Sequence, residues 1–406
     1  MGQRFMPKIY SNKVIRSIWF YLIAIFLGIV CGMSGMALLE QVGQYCAEIF
    51  SRILKFISVP IVSLSVIVAL SSYDSDKSMI KVIKKSWFYT ITTTICAASI
   101  AALLYLIVRP NNLMAVSELN VQNVMPSGTY SKYLLGVIPD NILKSFLENN
   151  ILSVLLISAI IGISIRFISE PVAKNIVISF FKGFQSIFFT ITRFIMKIMP
   201  VGLFGFAVVS VLEFKNGLNI VGLGEYLFIV LSANAVQGII ILPLWLAYKK
   251  INPFKAFKAM SPALSVAFFS KSSSATLPVT MDTIEKNLNV SPKIGRFVLP
   301  LCTAINMNGC AAFIFTTCTY MLQNNGVEIN FLTIVSWVFI ATLAAIGNAG
   351  IPMGCFFMSV SLMSAMNVPI SLMGIILPFY NLIDMEETAL NVWSDSCVTM
   401  LVDKET

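Results

Sequence analysis

Five polar residues near the end of the chain recur at the spacing of one helix face. Asp384, Glu387, Thr388, Asn391 and Asp395 fall at i, i+3, i+4, i+7 and i+11, which places them on one side of a helix. Apolar residues precede and follow this face, so a membrane-embedded helix is favoured over an exposed tail. Ionisable groups inside a membrane face a partner, a cation or an aqueous path. The spacing therefore predicts a site for a cation and an ammonium group, both of which bind carboxylate oxygens.

Two interrupted segments carry the remaining polar chemistry. In the serine-rich stretch Ser270–Pro278, we expect Pro278 to mark a helix break whose orphan N–H groups bind a carboxylate. The second segment is Asn306-Met307-Asn308-Gly309, where a break would free carbonyl oxygens for a cation and a structural kink is the alternative. Lys271 beside the serines would also suit a hydrolase that uses lysine as its base, which is less favoured because short Ser-Lys strings are common.

The composition places these segments in a membrane. The chain has 406 residues, of which 57% are hydrophobic and 12% charged, and its mean hydropathy is +0.84. A soluble protein carries about twice that charge, so we predict an integral membrane protein. The chain contains no histidine, which excludes Ser-His-Asp and Cys-His nucleophile systems and imidazole metal sites. The eight cysteines show no C-x-x-C spacing, so each is expected to be a small buried apolar residue rather than part of a disulfide or zinc framework.

Apolar runs and basic residues together predict the topology. Six runs approach the length of about 20 residues that a membrane span needs, and basic residues cluster between them, as on cytoplasmic loops. The net charge of +9 is therefore interpreted as positive-inside topology and not as a nucleic-acid surface. We predict that the stretch from Arg109 to Lys132 is external, and we expect no cleavable signal peptide. The predicted spans are Ile18–Leu39, Ile57–Leu70, Trp87–Val108, Leu152–Ile168, Phe180–Val211 and Tyr226–Tyr248.

The pattern changes after residue 250. Small and polar residues interrupt two apolar segments, at Ser270–Pro278 and at Gly347–Gly354. Non-helical backbone at membrane depth persists only where it is buried in protein or lines a wet cavity. Both segments are therefore predicted to be helical hairpins that enter and leave the membrane. Interrupted segments in corresponding positions are typical of inverted-repeat transporters with a binding site at the midplane.

The ordered set of motifs resembles the dicarboxylate/amino-acid:cation symporter family, which includes the glutamate transporters, and the resemblance covers nearly the whole chain. Its most specific parts are the serine motif Ser272–Pro278, the family's N-M-D-G-T motif as Asn306-Met307-Asn308-Gly309-Cys310, and the last-helix pattern from Asp384 to Asp395. Further matches are Leu54-Lys55-Phe56-Ile57-Ser58-Val59-Pro60, Ile138-Pro139-Asp140-Asn141, Met199-Pro200-Val201-Gly202 and Gly350-Ile351-Pro352.

The resemblance implies an all-α polytopic membrane protein with eight transmembrane helices, two re-entrant helical hairpins and inverted repeats. It also implies a homotrimeric, elevator-type transporter in which a transport domain slides against a trimerisation scaffold. The expected scaffold comprises residues 1–83 (helices 1 and 2) and 111–215 (helices 4 and 5). The expected transport domain comprises residues 84–110 (helix 3) and 216–406 (helices 6 to 8 with both hairpins). Both termini are expected to be cytoplasmic.

The same resemblance implies roles for individual residues. Asp384 would hold the α-ammonium group of an amino acid, and Thr388 and Asn391 would bind its α-carboxylate. No cofactor is expected beyond the coupled ion, Na⁺ or H⁺. Other expected substrate contacts are Ser272, Ser273, Ser274, Cys310, Pro352, Gly354 and Glu387. One sodium ion would be held by Asn306, Asn391 and Asp395, and another by Tyr89, Thr92, Thr93 and Asn308.

Departures from the family pattern predict the substrate class. Glu387 stands where the family's arginine clamps an acidic side chain, and Asn308 where the motif has an aspartate. Lys271 is expected to pair with Asp384 or Glu386. We therefore expect symport of a neutral or basic amino acid with Na⁺ or H⁺ across a cell membrane, with a bacterial inner membrane favoured. Membrane lipid and further copies of the chain are the expected partners, and nucleic acid is not.

Several alternatives stay open on the sequence alone. A glutamate, aspartate or dicarboxylate symporter would share the same motifs, as would an uncoupled channel. A relative that binds substrate but has lost transport would act as a sensor. An intramembrane Ser-Lys hydrolase would be labelled by an inhibitor probe at Ser272 to Ser274.

Overall fold

A computed structural model describes residues 20, 23–71, 80–113, 138–139, 141–147, 151–215, 220–348 and 353–406. Across these residues the chain is helical or in turns, without a β-strand, so the predicted all-α class is confirmed for them. Pro352 and Asp140 lie outside the described residues, as do most of the stretch predicted to be external and the basic residues before residue 20.

The helices follow one another closely along the chain. The first are α1 (Ile23–Met33), α2 (Ala37–Ser71), α3 (Ile80–Val108), α4 (Ile142–Leu147), α5 (Ile151–Arg166) and α6 (Pro171–Lys215). Next is α7, which comprises Ile220–Val236, a π turn Gln237–Ile241 and Leu242–Tyr248. The remainder are α8 (Pro253–Ser270), α9 (Ser273–Leu288), α10 (Pro292–Ile305), α11 (Asn308–Asn324), α12 (Phe331–Ile346), α13 (Gly354–Ala365) and α14 (Ser371–Glu405).

Among the described residues, three stretches are long and apolar enough to cross a membrane, by length and composition: Lys81–Val108, Val221–Tyr248 and Pro292–Asn324. The helices α1 and α6 present large apolar side chains to their surroundings, since Phe26 is 65% exposed and Phe194 is 59% exposed. Contiguous exposed apolar surface of this kind is unusual on a soluble monomer and suits contact with lipid.

The first helices pack through small residues. The helix α2 lies along α5 and α6, and α1 lies beside α6. A Cβ atom added at Gly28 of α1 would lie 2.5 Å from the backbone oxygen of Phe204 in α6, so only glycine permits this approach. Gly28 and Gly32 form a G-x-x-x-G pair, the spacing that brings helix backbones together in membranes.

The second half of the chain surrounds α11 and α14. Almost every residue of α11 is buried, and α3, α7, α12, α13 and α14 pack around it. The helix α14 is continuous over 35 residues, and all of its residues from Leu390 to Val402 are buried. Polar groups on these two helices are therefore enclosed by protein.

Two of the three interruptions predicted from the sequence are present, and one of these was predicted at the wrong position; residues 349–352 of the third, Gly347–Gly354, lie outside the described residues. The helices α8 and α9 are separated by Lys271, whose backbone is left-handed (φ 52°), and by Ser272. Pro278 lies inside α9 and does not break it. The break falls earlier because Ser272 adopts extended backbone and accepts the N–H of Ala275 on its side chain, which starts α9. Asn306 and Met307 separate α10 from α11 as predicted.

Candidate functional site

The polar face of α14 is buried against its neighbours. Asp384 is 4% exposed, Glu387 1%, Thr388 5%, Asn391 3% and Asp395 1%. The polar face predicted from the helical spacing is therefore enclosed by protein along its length. The side chain of Thr388 donates a hydrogen bond of 2.7 Å to the backbone oxygen of Asp384.

Part of this face lines a small cavity where the breaks in the helices converge. Gly309 allows α11 to approach α14 here, because a Cβ atom added to it would lie 2.8 Å from Cα of Glu387. The cavity is lined by Lys271, Ser273, Met307, Cys310, Asn348, Cys355, Asp384, Glu387, Thr388 and Asn391.

Two carboxylates in this cavity have oxygens without a partner. Oδ2 of Asp384 and Oε1 of Glu387 are buried and accept no hydrogen bond from the described residues. The other oxygen of Glu387 accepts a hydrogen bond of 3.3 Å from the hydroxyl of Tyr380, which lies seven residues earlier on the same helix. Buried acceptors are nearly always paired in proteins, so the cavity is suited to a ligand that donates hydrogen bonds.

Lys271 is the basic residue in the lining of this cavity, but its predicted ion pairs are not formed among the described residues. Its Nζ donates a hydrogen bond of 2.9 Å to Oδ1 of Asn381, and within the described ranges no ion pair joins it to Asp384 or Glu386. Glu386 is two residues from Asp384, about 200° around the helix, and it faces α7 instead of the cavity. Lys271 still acts on Asp384 electrostatically across the cavity.

The three hairpin serines have different surroundings. Ser273 is buried and lines the cavity. The side chain of Ser272 accepts the backbone N–H of Ala275 at 3.2 Å and caps α9. Ser274 is exposed and lies outside the cavity lining. Gly354 begins α13, next to the cavity-lining Cys355.

A second group of polar residues, the amide cluster, comprises Thr93, Asn306, Asn308, Ser394 and Asp395, all of them buried. Asn306 occupies its centre: its Nδ2 donates to Oγ of Ser394 at 2.9 Å and to Oδ1 of Asp395 at 3.0 Å. Its Oδ1 accepts from Oγ1 of Thr93 at 3.0 Å and from Nδ2 of Asn308 at 3.0 Å. The cluster thus joins α3, the break before α11, and α14.

Neighbouring residues extend the amide cluster. Thr303 donates a hydrogen bond of 3.3 Å to Oδ2 of Asp395. Oδ1 of Asn391 accepts the backbone N–H of Gly309 at 2.9 Å, which ties α14 to the start of α11. The hydroxyl, amide and carboxylate oxygens gathered here are the types that hard cations prefer.

The predicted third-helix sodium ligands are only partly brought together. Thr93 belongs to the amide cluster, but the side chain of Thr92 donates to the backbone oxygen of Phe88 at 2.7 Å. The hydroxyl of Tyr89 donates to Oε1 of Glu405 at 2.7 Å, at the end of α14. Neither of these side chains reaches Asn306 or Asn308, because each points to a different side of α3.

The prediction that no cysteine is part of a disulfide was wrong for one pair. Cys310 of α11 and Cys355 of α13 form a disulfide across the cavity wall, although 45 residues separate them. Nδ2 of Asn348 donates to both sulfurs, at 3.0 Å and 3.3 Å. A carboxylate oxygen of Glu387 lies within 4.8 Å of both sulfurs, but the sulfurs of a disulfide lack the thiolate charge that binds metals.

Sequence reasoning missed Gln237, Asn234, Tyr380 and Asn348. Gln237 is fully buried in the π turn of α7, and its Nε2 donates to Oδ1 of Asn308 at 2.7 Å and to the backbone oxygen of Thr93 at 3.1 Å. Asn234 and Gln237 are two amides three residues apart within an apolar span. That spacing was a usable signal, since polar residues inside a membrane span face the protein interior.

The fold and the cavity define an all-α membrane protein that encloses a polar binding site between interrupted helices. The profile of the Sodium:dicarboxylate symporter family matches residues 18–405, and the chain belongs to that family. It is accordingly a multi-pass membrane transporter and not an enzyme.

Similar proteins include amino acid transporters of mammals. Excitatory amino acid transporter 3 of Mus musculus is 26% identical over 455 aligned positions, which cover 97% of this chain and 86% of the relative. Neutral amino acid transporter B(0) of Mus musculus is 26% identical over 399 positions, covering 86% and 72%. Neutral amino acid transporter B(0) of Homo sapiens is 30% identical over 249 positions, covering 61% and 46%.

Proposed function

We propose that this protein is a secondary-active symporter that couples the uptake of a neutral or basic amino acid to Na⁺ or H⁺. One observation carries the proposal: Asp384 and Glu387 line the same cavity, and each has a buried oxygen without a partner among the described residues. Two carboxylates in one cavity favour a substrate with an α-ammonium group. A basic amino acid would offer a second cationic group to the second carboxylate.

Charge disfavours an acidic substrate in this cavity. Two like charges about 4 Å apart repel by roughly 4 kcal/mol at an effective dielectric of 20. Since about 1.4 kcal/mol is tenfold in affinity, a substrate carboxylate beside Glu387 would bind orders of magnitude more weakly. Lys271 offsets part of this repulsion but is engaged with Asn381. A basic side chain would instead gain a charged partner, so basic substrates are favoured over neutral ones.

The remaining cavity groups suit the α-carboxylate of an amino acid. Asp384 would hold the α-ammonium group. Ser273 and Thr388 line the same cavity, as does Asn391, whose side chain fixes the start of α11. We assign the α-carboxylate to these three residues and to the backbone at the start of α9. Ser272 contributes by capping that helix.

Sodium is the cation we assign to the amide cluster, with Asn306, Asn391 and Asp395 as its ligands. A second ion near Thr93 and Asn308 would bind weakly, because the amide of Gln237 already donates to the oxygens of both residues. Fewer sodium ions would then be coupled than if residue 308 were a carboxylate that Gln237 did not pair with. If Na⁺ is not the coupled ion, H⁺ is the remaining candidate.

Transport would follow an elevator mechanism in a homotrimer. Residues 1–83 and 111–215 would form the scaffold, and residues 84–110 and 216–406 would move with the cavity. The close packing of α2 on α6 and the enclosure of α11 by α3 and helices of the second half of the chain support this division. Native mass spectrometry in mild detergents would reveal the trimer, and detection of monomer alone in every detergent would contradict it.

The substrate class is tested by uptake into proteoliposomes that carry an inward sodium gradient. Arginine, lysine, serine, cystine, aspartate and glutamate would compete with a labelled amino acid, for the wild type and for Glu387→Arg. We expect inhibition by basic or neutral amino acids in the wild type, and a gain of inhibition by aspartate in Glu387→Arg. The surface variant Glu328→Arg is the matched control, since Glu328 is exposed between α11 and α12. Strong wild-type inhibition by aspartate would refute the substrate class.

A dicarboxylate symporter is the second candidate. The family description and the position of Lys271 at the cavity favour it. Inhibition by succinate or aspartate, but not by arginine, would establish it. Uptake that survives collapse of the ion gradient would instead indicate a channel, and ligand binding without counterflow would indicate a sensor.

A further inference from the structure

A third set of polar groups lies between α7 and α14, away from the cavity. Asn234 is 2% exposed and Gln237 is 0% exposed, one turn apart on α7. Glu386 of α14 is half-buried and faces Asn234. The only charged residue within α7 is Glu225 near its start, where it accepts hydrogen bonds from Asn111, so Glu386 meets no cation on that helix.

Three oxygens in this set lack partners. Oδ1 of Asn234, Oε1 of Gln237 and Oε2 of Glu386 are enclosed and make no hydrogen bond to any residue that the structure describes, and neither does Nδ2 of Asn234. The Asn234 amide lies within interaction distance of the Glu386 carboxylate. Partnerless polar groups are strongly unfavourable within a membrane span, so these oxygens point to a ligand.

The number and kind of these oxygens indicate the ligand. A proton on Glu386 could satisfy one further oxygen and would leave another amide oxygen unpaired. A hard monovalent cation accepts several oxygens at once, and a single carboxylate balances its charge. We propose that Asn234, Gln237 and Glu386 form a sodium-binding site separate from the cavity and from the ligands assigned in the amide cluster.

Gln237 connects the proposed site to the amide cluster. Its oxygen is buried and has no partner among the described residues, while its nitrogen donates to Asn308 and to Thr93. A cation at Oε1 would polarise the amide and strengthen those two donations. The site is therefore placed where an ion could stabilise the amide cluster without touching it.

The test measures sodium binding in the absence of any amino acid, so it does not depend on the transport function. Thermal unfolding of the purified protein would be followed while choline chloride is replaced by sodium chloride. An Asp395→Asn background weakens the amide-cluster site, and we expect a sodium-dependent rise of Tm to persist there. Adding Glu386→Gln should weaken the apparent sodium affinity by at least about tenfold, because the only charge in the site is lost.

Asn234→Leu separates a binding role from a structural one. We expect it to abolish the remaining sodium response without lowering Tm in sodium-free buffer, because leucine removes a partnerless amide. Asn325→Leu, in the loop after α11, is the control and should leave the response intact. An unchanged sodium response in Glu386→Gln would overturn the proposal, even if Asn234→Leu did not fold. Loss of a pH response in Glu386→Gln with an intact sodium response would identify a proton site instead.

Discussion

The side-chain nitrogen of Gln237 lies 2.7 Å from Oδ1 of Asn308. The same nitrogen lies 3.1 Å from the backbone oxygen of Thr93. A neutral N–H donor therefore satisfies two oxygens that could otherwise bind a cation. The nitrogen of Asn308 donates in turn to Asn306 and Ser394, so this part of the amide cluster is paired without an ion.

The first prediction concerns the coupling between Gln237 and Asn308. Asn308→Asp alone should change the sodium dependence of uptake little, because Gln237 pairs with the new carboxylate. In a Gln237→Met background, Asn308→Asp should raise the apparent sodium affinity by about tenfold, since an unpaired buried carboxylate favours a cation. Gln237→Met alone is the control, because this substitution also removes Oε1, which we proposed above as a ligand of a separate sodium site. Equal effects of Asn308→Asp in both backgrounds would show that Gln237 does not compete with the ion.

The second prediction concerns Asp395. Asp395→Ala should reduce sodium-dependent uptake to background, because it removes the charged ligand that we assign to the amide cluster. It also leaves Nδ2 of Asn306 and Oγ1 of Thr303 with one acceptor fewer, at a cost of about 1–3 kcal/mol for a group left unpaired. Asp395→Asn keeps the shape and should unfold closer to the wild-type temperature while still losing uptake. Sodium-driven uptake by Asp395→Asn at the wild-type rate would exclude this carboxylate as a ligand.

The third prediction concerns acid stability at the end of α14. Glu405 lies 2.6 Å from Nζ of Lys249 and 3.2 Å from Nζ of Lys85. The hydrogen bond with Lys249 is the main cause that lowers the pKa of Glu405 from 4.5 to about 2. The unfolded chain thus binds a proton between these values while the folded chain does not, so stability is present above about pH 4.5 and is lost as pH falls toward 2. Between pH 5 and 3, Tm of the wild type should fall more steeply than Tm of Glu405→Gln. Parallel slopes would contradict this prediction.

The fourth prediction concerns the Cys310–Cys355 disulfide. Alkylation of the unfolded, unreduced chain should modify two cysteines fewer than alkylation after reduction. Reduction should destabilise the fold by about 2–4 kcal/mol, the usual contribution of a disulfide. Cys355→Ala should show a similar loss and no further sensitivity to reductant, whereas Cys96→Ala should retain that sensitivity. Labelling of all eight cysteines before reduction would disprove the bond.

Features set by local spacing could be predicted from the sequence. The polar face of α14 follows from a period of 3.6 residues, and the break at Asn306-Met307 follows from polar residues in an apolar run. The break before α9 was predicted in the correct segment but assigned to Pro278, because the left-handed backbone of Lys271 has no sequence signature comparable to proline. Long-range pairings escaped prediction: Lys271 binds Asn381 110 residues away, and Gln237 binds Asn308 71 residues away. Spacing along the chain contains no information on which of several polar residues will meet.

The orientation of one half of α7 relative to the other depends on the number of residues in the π turn at Gln237–Ile241. A π turn holds one residue more than an α turn, so deleting one residue there would restore a regular helix and rotate one half of α7 against the other by about 100°. Asn234 and Trp245 lie on opposite sides of the π turn, so after such a deletion they could not both keep their present neighbours, although neither side chain would have changed. Insertions and deletions, more than substitutions, would therefore separate relatives that share this polar arrangement from relatives that lack it.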